Sequence, residues 1–443
     1  MACRILSLVM SVVRFVSRGL YVTGLLTIHF LVWLLGWLLL LVTLRDKAVR
    51  QRWFARRLTQ TLIDLGATFV KVGQIMSTRP DLFPPHIIKG LSKLQDDVGA
   101  FAYRHIERAF LDEFQQTPDE LFADFDRRPI ASASVAQVHR ASLHDGREVA
   151  VKVRRPGLEH VVSFDLSVMR LVAKVMSIIP TVRLFAPVES VDEFARAIRM
   201  QIDLSIEADN NRRFHEYFKG NSDVTFPVLE EALCSPRVLT MSFLDGVKIL
   251  EFQRVDTDPS RLAKIGFQTL LQMVFEDGFV HADLHPGNIL IVPDDEGGHE
   301  RAKVAILDLG LTAELDQTHR VAFARYFAGF AQGDGKVMAK LMADLSPSSG
   351  VEDYEAYEAD VVAFTKRYLG KALGEVQVSA VAFDMMNILR RHRVRVNPTF
   401  TMCNIAIAVT EGIGKQLDPS LDLMKEALPF FMKLQQSGAM KLG

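Results

Sequence analysis

The sequence predicts an α+β protein of two lobes, a small mixed lobe and a larger helical one, with a helical N-terminal extension and an N-terminal transmembrane helix. Three observations predict it. An uncharged apolar run opens the chain, two alternating stretches joined by a turn occupy 135–153, and beyond about residue 317 every pattern is helical. At 443 residues the chain exceeds what one simple core needs. Its formal net charge of −1 gives no reason to expect nucleic acid as a partner. Cys3, Cys234 and Cys403 are too widely separated for a disulfide framework or a zinc pattern, which fits reduced thiols in a cytoplasm-like compartment.

From Leu20 to Leu44 there is no charged residue and one histidine, His29. As a helix this run would be roughly 37 Å long, against a hydrocarbon core of about 30 Å. Tyr21, Trp33 and Trp37 add interfacial character. A cleavable signal peptide is disfavoured, because the run is longer than a usual h-region and Arg45-Asp46-Lys47 follows it in place of a small-residue cleavage site. Arg4, Arg14 and Arg18 precede the run, whereas Arg45, Lys47, Arg50, Arg52, Arg56 and Arg57 follow it. That bias predicts a single-pass anchor with the large C-terminal part on the cytoplasmic (or matrix) side, a bacterial inner membrane being favoured over a mitochondrial one. Residues 5–17 are also apolar, so a hairpin or an interfacial helix is an alternative there. A buried helix of a soluble core is the bland one.

After the basic stretch, 58–78 has helical spacing with Leu62, Leu65, Phe69 and Val72 on one side. Arg79-Pro80 and Pro84-Pro85 break it, and further helices are expected around Ile87–Leu94 and Tyr103–Phe114. Val135–Leu143 and Glu148–Val153 read as strands joined by His144-Asp145-Gly146-Arg147. Helical patterns return at 159–178 and 191–214, with short strands at Val238–Phe243, Ile289–Val292 and Val304–Leu307. The outline is that of a protein-kinase-like bilobal fold. Its expected parts are a membrane anchor at 1–57, a helical extension at 58–120, a small lobe at 121–245 and a helical lobe at 246–443.

His281-Ala282-Asp283-Leu284-His285-Pro286-Gly287-Asn288 follows a helical stretch and precedes an apolar strand. Twenty residues after Asn288, behind a second strand, comes Asp308-Leu309-Gly310. Phosphoryl transfer requires a positioned hydroxyl and Mg²⁺ held against the phosphates of ATP. Asp283 is the expected catalytic base or orienter, and Asn288 and Asp308 the expected metal ligands. An Asp-x-x-x-x-Asn alone is usually a polar loop; the octapeptide, its flanking strands and the later Asp-Leu-Gly together carry the signal. A zinc pair from His281 and His285 is disfavoured by Pro286 and the loop context. On the second strand, alternation sends Val149, Val151 and Val153 to one face and Ala150 with Lys152 to the other. A small residue that admits adenine and a lysine that reaches the phosphates belong on one face. A lone strand lysine is more often simply solvated; its place upstream of the catalytic-loop set favours function.

The stretch Ala131-Ser132-Ala133-Ser134-Val135-Ala136-Gln137-Val138-His139, where a kinase carries its glycine-rich loop, has no glycine. With Val-Ala-Val-Lys and His-Ala-Asp-Leu-His-Pro-Gly-Asn, that departure resembles the UbiB/AarF family of atypical kinase-like proteins, whose alanine-rich loop replaces the glycine-rich one. The resemblance covers roughly 60–430. It implies nucleotide binding by Ala131, Ser132, Ala133, Ser134, Ala150 and Lys152. Lys71-Val72-Gly73-Gln74 matches the family's KxGQ signature, which raises Lys71 and Gln74 from an exposed polar pair to residues of a regulatory extension that covers the nucleotide site. Leu94-Gln95-Asp96-Asp97 and the 411–419 stretch also resemble family segments. An acidic partner for Lys152 should come from the 191–214 helix, where Asp203 and Glu207 are expected to share a face and Glu207 is the candidate. Gln201 stands where the family pattern has a carboxylate, and Leu309 where phenylalanine is usual. The resemblance implies an ATP- and Mg²⁺-dependent kinase or ATPase that acts near a membrane on lipids or isoprenoid-quinone precursors, with quinone-biosynthesis enzymes as partners. A small-molecule phosphotransferase of the aminoglycoside or choline kinase type, and a nucleotide-gated scaffold, are the alternatives.

Overall fold

The apolar run and the residues before it form one helix, α1 (Ala2–Val42), so 5–17 continues the same element and makes no hairpin. Within it Ser17–Leu40, of mean hydropathy 2.0, is long and apolar enough to cross a membrane. The structure, a computed structural model, describes residues 2–42, 46–77, 83–94, 99–178, 187–294, 298–346, 351–368, 378–394, 398–421, 426–427 and 430. Arg45, the Arg79-Pro80 break and Gln95-Asp96-Asp97 lie outside them. The chain divides into two units: 1–79 with 83–205 and 231–240, and 80–82 with 206–230 and 241–443.

In the first unit the helix expected over 58–78 is two helices, α2 (Lys47–Leu65) and α3 (Ala67–Ser77). Gly66 between them has φ +102°, a conformation side-chain-bearing residues rarely adopt, so the chain turns there. A short helix α4 (Pro85–Leu91) packs on both, and Leu62, Leu65, Phe69 and Leu91 bury a common core with Val22 of α1. Gly73 is held to glycine by this packing. A Cβ there would lie 2.4 Å from Leu94 Cδ1 and 2.8 Å from Leu62 Cδ1.

Helix α5 (Arg104–Phe114) and the turn α6 (Pro118–Leu121) precede the sheet. Its strands are β1 (Asp124–Phe125), β2 (Ala131–Ser132), β3 (Ala136–Ser142) and β4 (Glu148–Arg154). β3 and β4 form the expected antiparallel hairpin, with His139 opposite Val151. Both β1 and β2 pair with β3. Val149, Val151 and Val153 point inward onto Ile106 and Phe110 of α5, at 1% exposure or less, as the alternation predicts. Helices α7 (Leu158–Met176) and α8 (Pro187–Ile202) follow, and Val72 of α3 is buried among Leu158, Val162, Phe194 and Ile198.

The single helix expected over 191–214 is broken at Asp203. Its carboxylate accepts hydrogen bonds from the Ser205 amide (3.0 Å) and hydroxyl (2.6 Å), capping a new helix, α9 (Leu204–Tyr217). Asp203 therefore ends one helix and starts the next, and does not share a helical face with Glu207. This is the behaviour of an aspartate whose short side chain competes for local backbone donors.

From Ile206 onward α9 belongs to the second unit. There β5 (Val224–Thr225) begins a second sheet; β6 (Val238–Ser242), which follows it in the chain, joins β4 in the first sheet, and the second sheet runs β5-β10-β9-β7. The others are β7 (Val247–Lys248), β9 (Ile289–Asp294) and β10 (Gly298–Ile306). Helix α10 (Pro259–Leu271) lies before β8 (Phe279–His281), which pairs antiparallel with β11 (Thr312–Glu314). Five helices complete the unit: α11 (Gln317–Gln332), α12 (Gly335–Asp344), α13 (Tyr354–Tyr368), α14 (Val378–Arg391) and α15 (Pro398–Leu417). Several starts are capped by aspartate: Asp258 accepts from Ser260 N, Asp316 from His319 N and Asp334 from Val337 N. Phe214, Phe279, Phe323, Tyr357 and Phe400, all under 2% exposed, form the core.

Candidate functional site

The loop after β8 is shaped by its first histidine. His281 is fully buried; its Nδ1 accepts from the Asp283 amide at 3.1 Å and its Nε2–H donates to the Leu307 carbonyl at 3.2 Å. Burial pushes this imidazole below its ordinary range, so the ring is neutral, as one acceptor and one donor require. His281 thus fixes the backbone at Asp283 and ties it to the strand that leads to Asp308. It is no metal ligand.

Asp283 itself is half-buried, and Asn288 is 8% exposed. The Asn288 amide nitrogen donates to the Asp283 carbonyl at 3.1 Å, and the Asn288 carbonyl accepts from Leu307 N at 2.8 Å. One hydrogen bond therefore closes the loop between the two expected functional residues, leaving the Asn288 amide oxygen outside that bond. His285 turns inward on its own loop, its Nδ1 accepting from Gly287 N at 3.0 Å. It does not pair with His281 around a metal.

Asp308 is exposed and has φ +54°, a left-handed conformation uncommon for any residue but glycine and characteristic of functional sites. Leu309 beside it is buried, and its carbonyl accepts from Asn210 Nδ2 of α9 at 2.8 Å. Glu207, one turn earlier on α9, is 4% exposed. A Cβ placed on Gly310 would lie 3.3 Å from Glu207 Oε2 and 3.4 Å from Asp308 Oδ1. Two carboxylates thus converge on the one residue of the Asp-Leu-Gly turn that lacks a side chain. Asn210 was not picked out from the sequence; the signal available was a polar residue three positions after Glu207, on the inward face of a helix.

In the first unit, Ala150 and Lys152 lie on the half-exposed face of β4, opposite Arg140 and Val138 of β3. The alanine-rich segment is not a free loop. Ala131 and Ser132 form β2, Ala133 N donates to Ala136 O at 2.8 Å, and Ser134 is buried at 2% exposure. Arg155 secures it: Nε donates to Ala133 O at 2.8 Å, Nη2 reaches Ser132 Oγ at 3.2 Å and the Gly99 carbonyl, and the guanidinium lies over the Phe101 ring. The Ser132 hydroxyl donates to Gly99 O at 2.8 Å. Hydrogen bonds thus supply the rigidity of a turn that has no glycine. Arg155 also escaped sequence reasoning, although it lies three residues beyond Lys152.

Lys71 is half-buried on α3, and the Gln74 side chain donates to Leu94 O at 3.3 Å. Gln74 thus ties α3 to the segment after α4. Asp283, Asn288, Asp308 and Glu207 belong to the second unit, and Lys152, Lys71, Gln74 and the alanine-rich segment to the first.

Asp308 and Asn288 offer oxygen donors, the set that suits a hard cation such as Mg²⁺. No group of three or more His, Cys, Asp or Glu gathers around a common point among the described residues.

Residues 93–342 match the model of the ABC1 atypical kinase-like domain, and 361–422 that of the UbiB helical domain. A protein of Aliivibrio fischeri strain MJ11 named "Probable protein kinase UbiB" is 33% identical over 379 residues, 84% of this chain and 69% of its own. One of the same name from Sodalis glossinidius is 34% identical over 391 residues, 86% of this chain and 70% of its own. Among solved structures, the Rv3197–erythromycin complex of Mycobacterium tuberculosis shares the fold, with a TM-score of 0.50 at 22% identity over 81% of this chain and 92% of that one.

Proposed function

This chain belongs to the UbiB family of atypical kinase-like proteins, and from that premise we propose that it binds ATP with Mg²⁺ and acts at a membrane as an ATPase or phosphotransferase. The observation that carries the reading is the second unit's loop pair: Asp283 closed onto Asn288 and fixed by neutral His281, beside Asp308 converging with Glu207 on Gly310.

In this reading Asn288 and Asp308 hold Mg²⁺, which neutralises charge on the phosphates when bound. Asp283 orients the attacking hydroxyl or water and accepts its proton. Lys152 contacts the phosphates and Glu207 is its ionic partner. Ala150 admits the base, and the hydrogen-bonded segment from Ala131 to Ser134 lies over the nucleotide. Lys71 and Gln74 mark the extension that limits access by protein substrates. The substrate class is a membrane lipid or isoprenoid-quinone precursor, in support of ubiquinone or related isoprenoid-lipid metabolism, with quinone-biosynthesis enzymes as partners. Helix α1 is the attachment to a bacterial inner membrane, and the rest of the chain lies on its cytoplasmic side. The domain scheme that accompanies this is anchor 1–57, extension 58–120, small lobe 121–245 and helical lobe 246–443. A soluble small-molecule phosphotransferase would need neither α1 nor the α2–α4 extension.

The test is thermal unfolding of the full chain in detergent, with and without ATP or ADP and Mg²⁺, alongside Asp308→Asn. A ligand at 100 times its dissociation constant adds about 2.7 kcal/mol to the folded state. A Mg²⁺-dependent rise that vanishes in the variant is the expected result. A folded protein that shows no rise with either nucleotide would end the proposal.

A further inference from the structure

The apolar helix is not free to stand alone across a bilayer. From Arg18 to Gly36, one residue per turn of α1 is engaged by the body of the first unit. Arg18 donates to both carboxylate oxygens of Asp165, at 3.0 and 2.8 Å, and to the Leu65 carbonyl at 2.8 Å. Val22 is 1% exposed. His29 Nε2 lies 3.1 Å from Asp64 Oδ2, and its Nδ1 lies 3.2 Å from Thr61 Oγ1. Trp33 packs edge-on against Phe54 at 4.5 Å. A Cβ on Gly36 would fall 2.2 Å from the Trp53 ring, so the two helices touch there only because that residue is glycine. The spacing 18, 22, 29, 33, 36 is one helical face, and α2 runs back along it.

Those contacts extend for roughly 27 Å of helix, nearly the whole of a hydrocarbon core about 30 Å thick. If α1 crossed the bilayer while docked, α2 would cross beside it and carry Arg56, Arg57 and Asp64 into lipid, where charged side chains are strongly disfavoured. If α1 undocked, Asp165, whose side chain is fully buried, would lose its counter-charge. Docking and crossing exclude one another.

The opposite face of α1 is uncharged and exposed. Leu20, Ile28, Leu31, Leu35 and Leu38 are each at least half exposed. A contiguous apolar stripe of this length on a folded surface marks a contact site. The charges beside it identify the occupant. α2 and α4 border a cleft of about 990 Å³ lined by Arg52, Arg56, His86, Lys89 and Lys93, with no carboxylate among its described lining residues. Trp53 forms part of both that wall and the α1 contact. The cations thus lie on the α2 side of α1, behind the stripe, a depth that meets anionic lipid headgroups when the stripe faces acyl chains.

We propose that residues 17–40 lie flat in one leaflet of an anionic bilayer as a monotopic anchor, bare face toward the acyl chains, with α2 and its basic cleft at the headgroups. This replaces the single-pass orientation that loop charge suggests. It rests on the reading that the protein works at a membrane, and not on its nucleotide chemistry.

The test adds the full chain to preformed sealed vesicles of phosphatidylcholine and phosphatidylglycerol. Spin labels at Ile28→Cys, Leu31→Cys, Leu35→Cys and Leu38→Cys, in a Cys3→Ser, Cys234→Ser background, report depth by collision with oxygen and with a water-soluble nickel complex. An in-plane helix gives one similar shallow depth at all four positions. A crossing helix gives a depth that changes steadily along the series and overturns the proposal. Low collision with both reagents would indicate a protein–protein contact and overturn it as well. The native Cys3, in a Cys234→Ser background, supplies a second reading. A membrane-impermeant maleimide should label it in intact vesicles if α1 stays on one side, whereas protection until lysis means that α1 crosses. Failure to bind vesicles at all would remove the membrane reading itself, while binding with Cys3 protected would remove only the in-plane placement.

Discussion

Replacing Arg18 by alanine removes the counter-charge held against Asp165, a carboxylate that has no exposure of its own. The Arg18 side chain is 21% exposed and that of Asp165 is 0% exposed, and the guanidinium meets both oxygens. Truncating one member of such a pair leaves a buried charge uncompensated, which destabilises by about 3–5 kcal/mol. For a unit of this size each kcal/mol lowers the midpoint by about 2–4 °C, so a fall of roughly 6–20 °C is expected. The partner on α7 is 147 residues away in sequence, so the effect reports docking of α1 and not local helix propensity. Thermal unfolding of Arg18→Ala, Asp165→Asn and the double variant Arg18→Met, Asp165→Leu separates the contributions. The double variant should recover most of the loss, because well-packed apolar pairs often equal or exceed the buried ion pair they replace. A midpoint for Arg18→Ala within a degree of the parent would refute the reasoning, since it would mean that Asp165 is hydrated and α1 is not held.

Gly73→Ala should overpack the junction with Leu62 and Leu94 and lower stability by about 1–3 kcal/mol in denaturant unfolding, while nucleotide affinity measured on the folded protein stays near that of the parent. Arg155→Ala removes charged hydrogen bonds to Ala133, Ser132 and Gly99, costs about 1.5–3 kcal/mol, and should weaken Mg²⁺-nucleotide binding in calorimetry, with Arg155→Lys recovering part of it. Asp277, where one carboxylate oxygen is buried without a partner among the described residues, has its pKa raised by desolvation from 3.8 to about 6. The folded state therefore holds this proton more tightly than the unfolded state does, so stability falls as pH rises from about 4 through about 6 and is level above that. Asp277→Asn should flatten that slope and raise the midpoint at neutral pH; an unchanged pH profile would contradict it. Asp283→Asn should abolish turnover while leaving Mg²⁺-nucleotide stabilisation in place, and full biological function in that variant would favour the scaffold alternative.

Much of the catalytic loop was legible before any fold was known, because its chemistry is local. Asp283 and Asn288 are five residues apart, and the hydrogen bond between them closes a loop the sequence already outlines. The alternation of Val149, Val151 and Val153 against Ala150 and Lys152 is equally local, being a property of the pleat. Element boundaries were less so. Gly66 and Asp203 each split a stretch that reads as one helix, the first by a positive φ and the second by capping its successor. Neither alters apolar periodicity, so periodicity does not reveal them. Asn210 and Arg155 stayed hidden for another reason: each is an ordinary polar residue until its partner, Leu309 or Ala133, is placed beside it.

The sequence by itself resembled the UbiB family through its motifs, named the candidate residues for a nucleotide and a cation, and showed a start apolar enough for a bilayer. The motifs and the apolar start are local, legible from a few residues at a time. Only the tertiary structure decided what the apolar start packs against. An apolar helix of 24 residues meets the length requirement of a membrane span whatever lies beside it. Its commitment to one orientation depends on Asp64, Thr61, Trp53 and Asp165, which reach it across 17 to 147 residues of chain. Hydropathy is a sum over neighbours in sequence, whereas a buried ion pair and a glycine-to-tryptophan contact exist only once distant segments have been packed together.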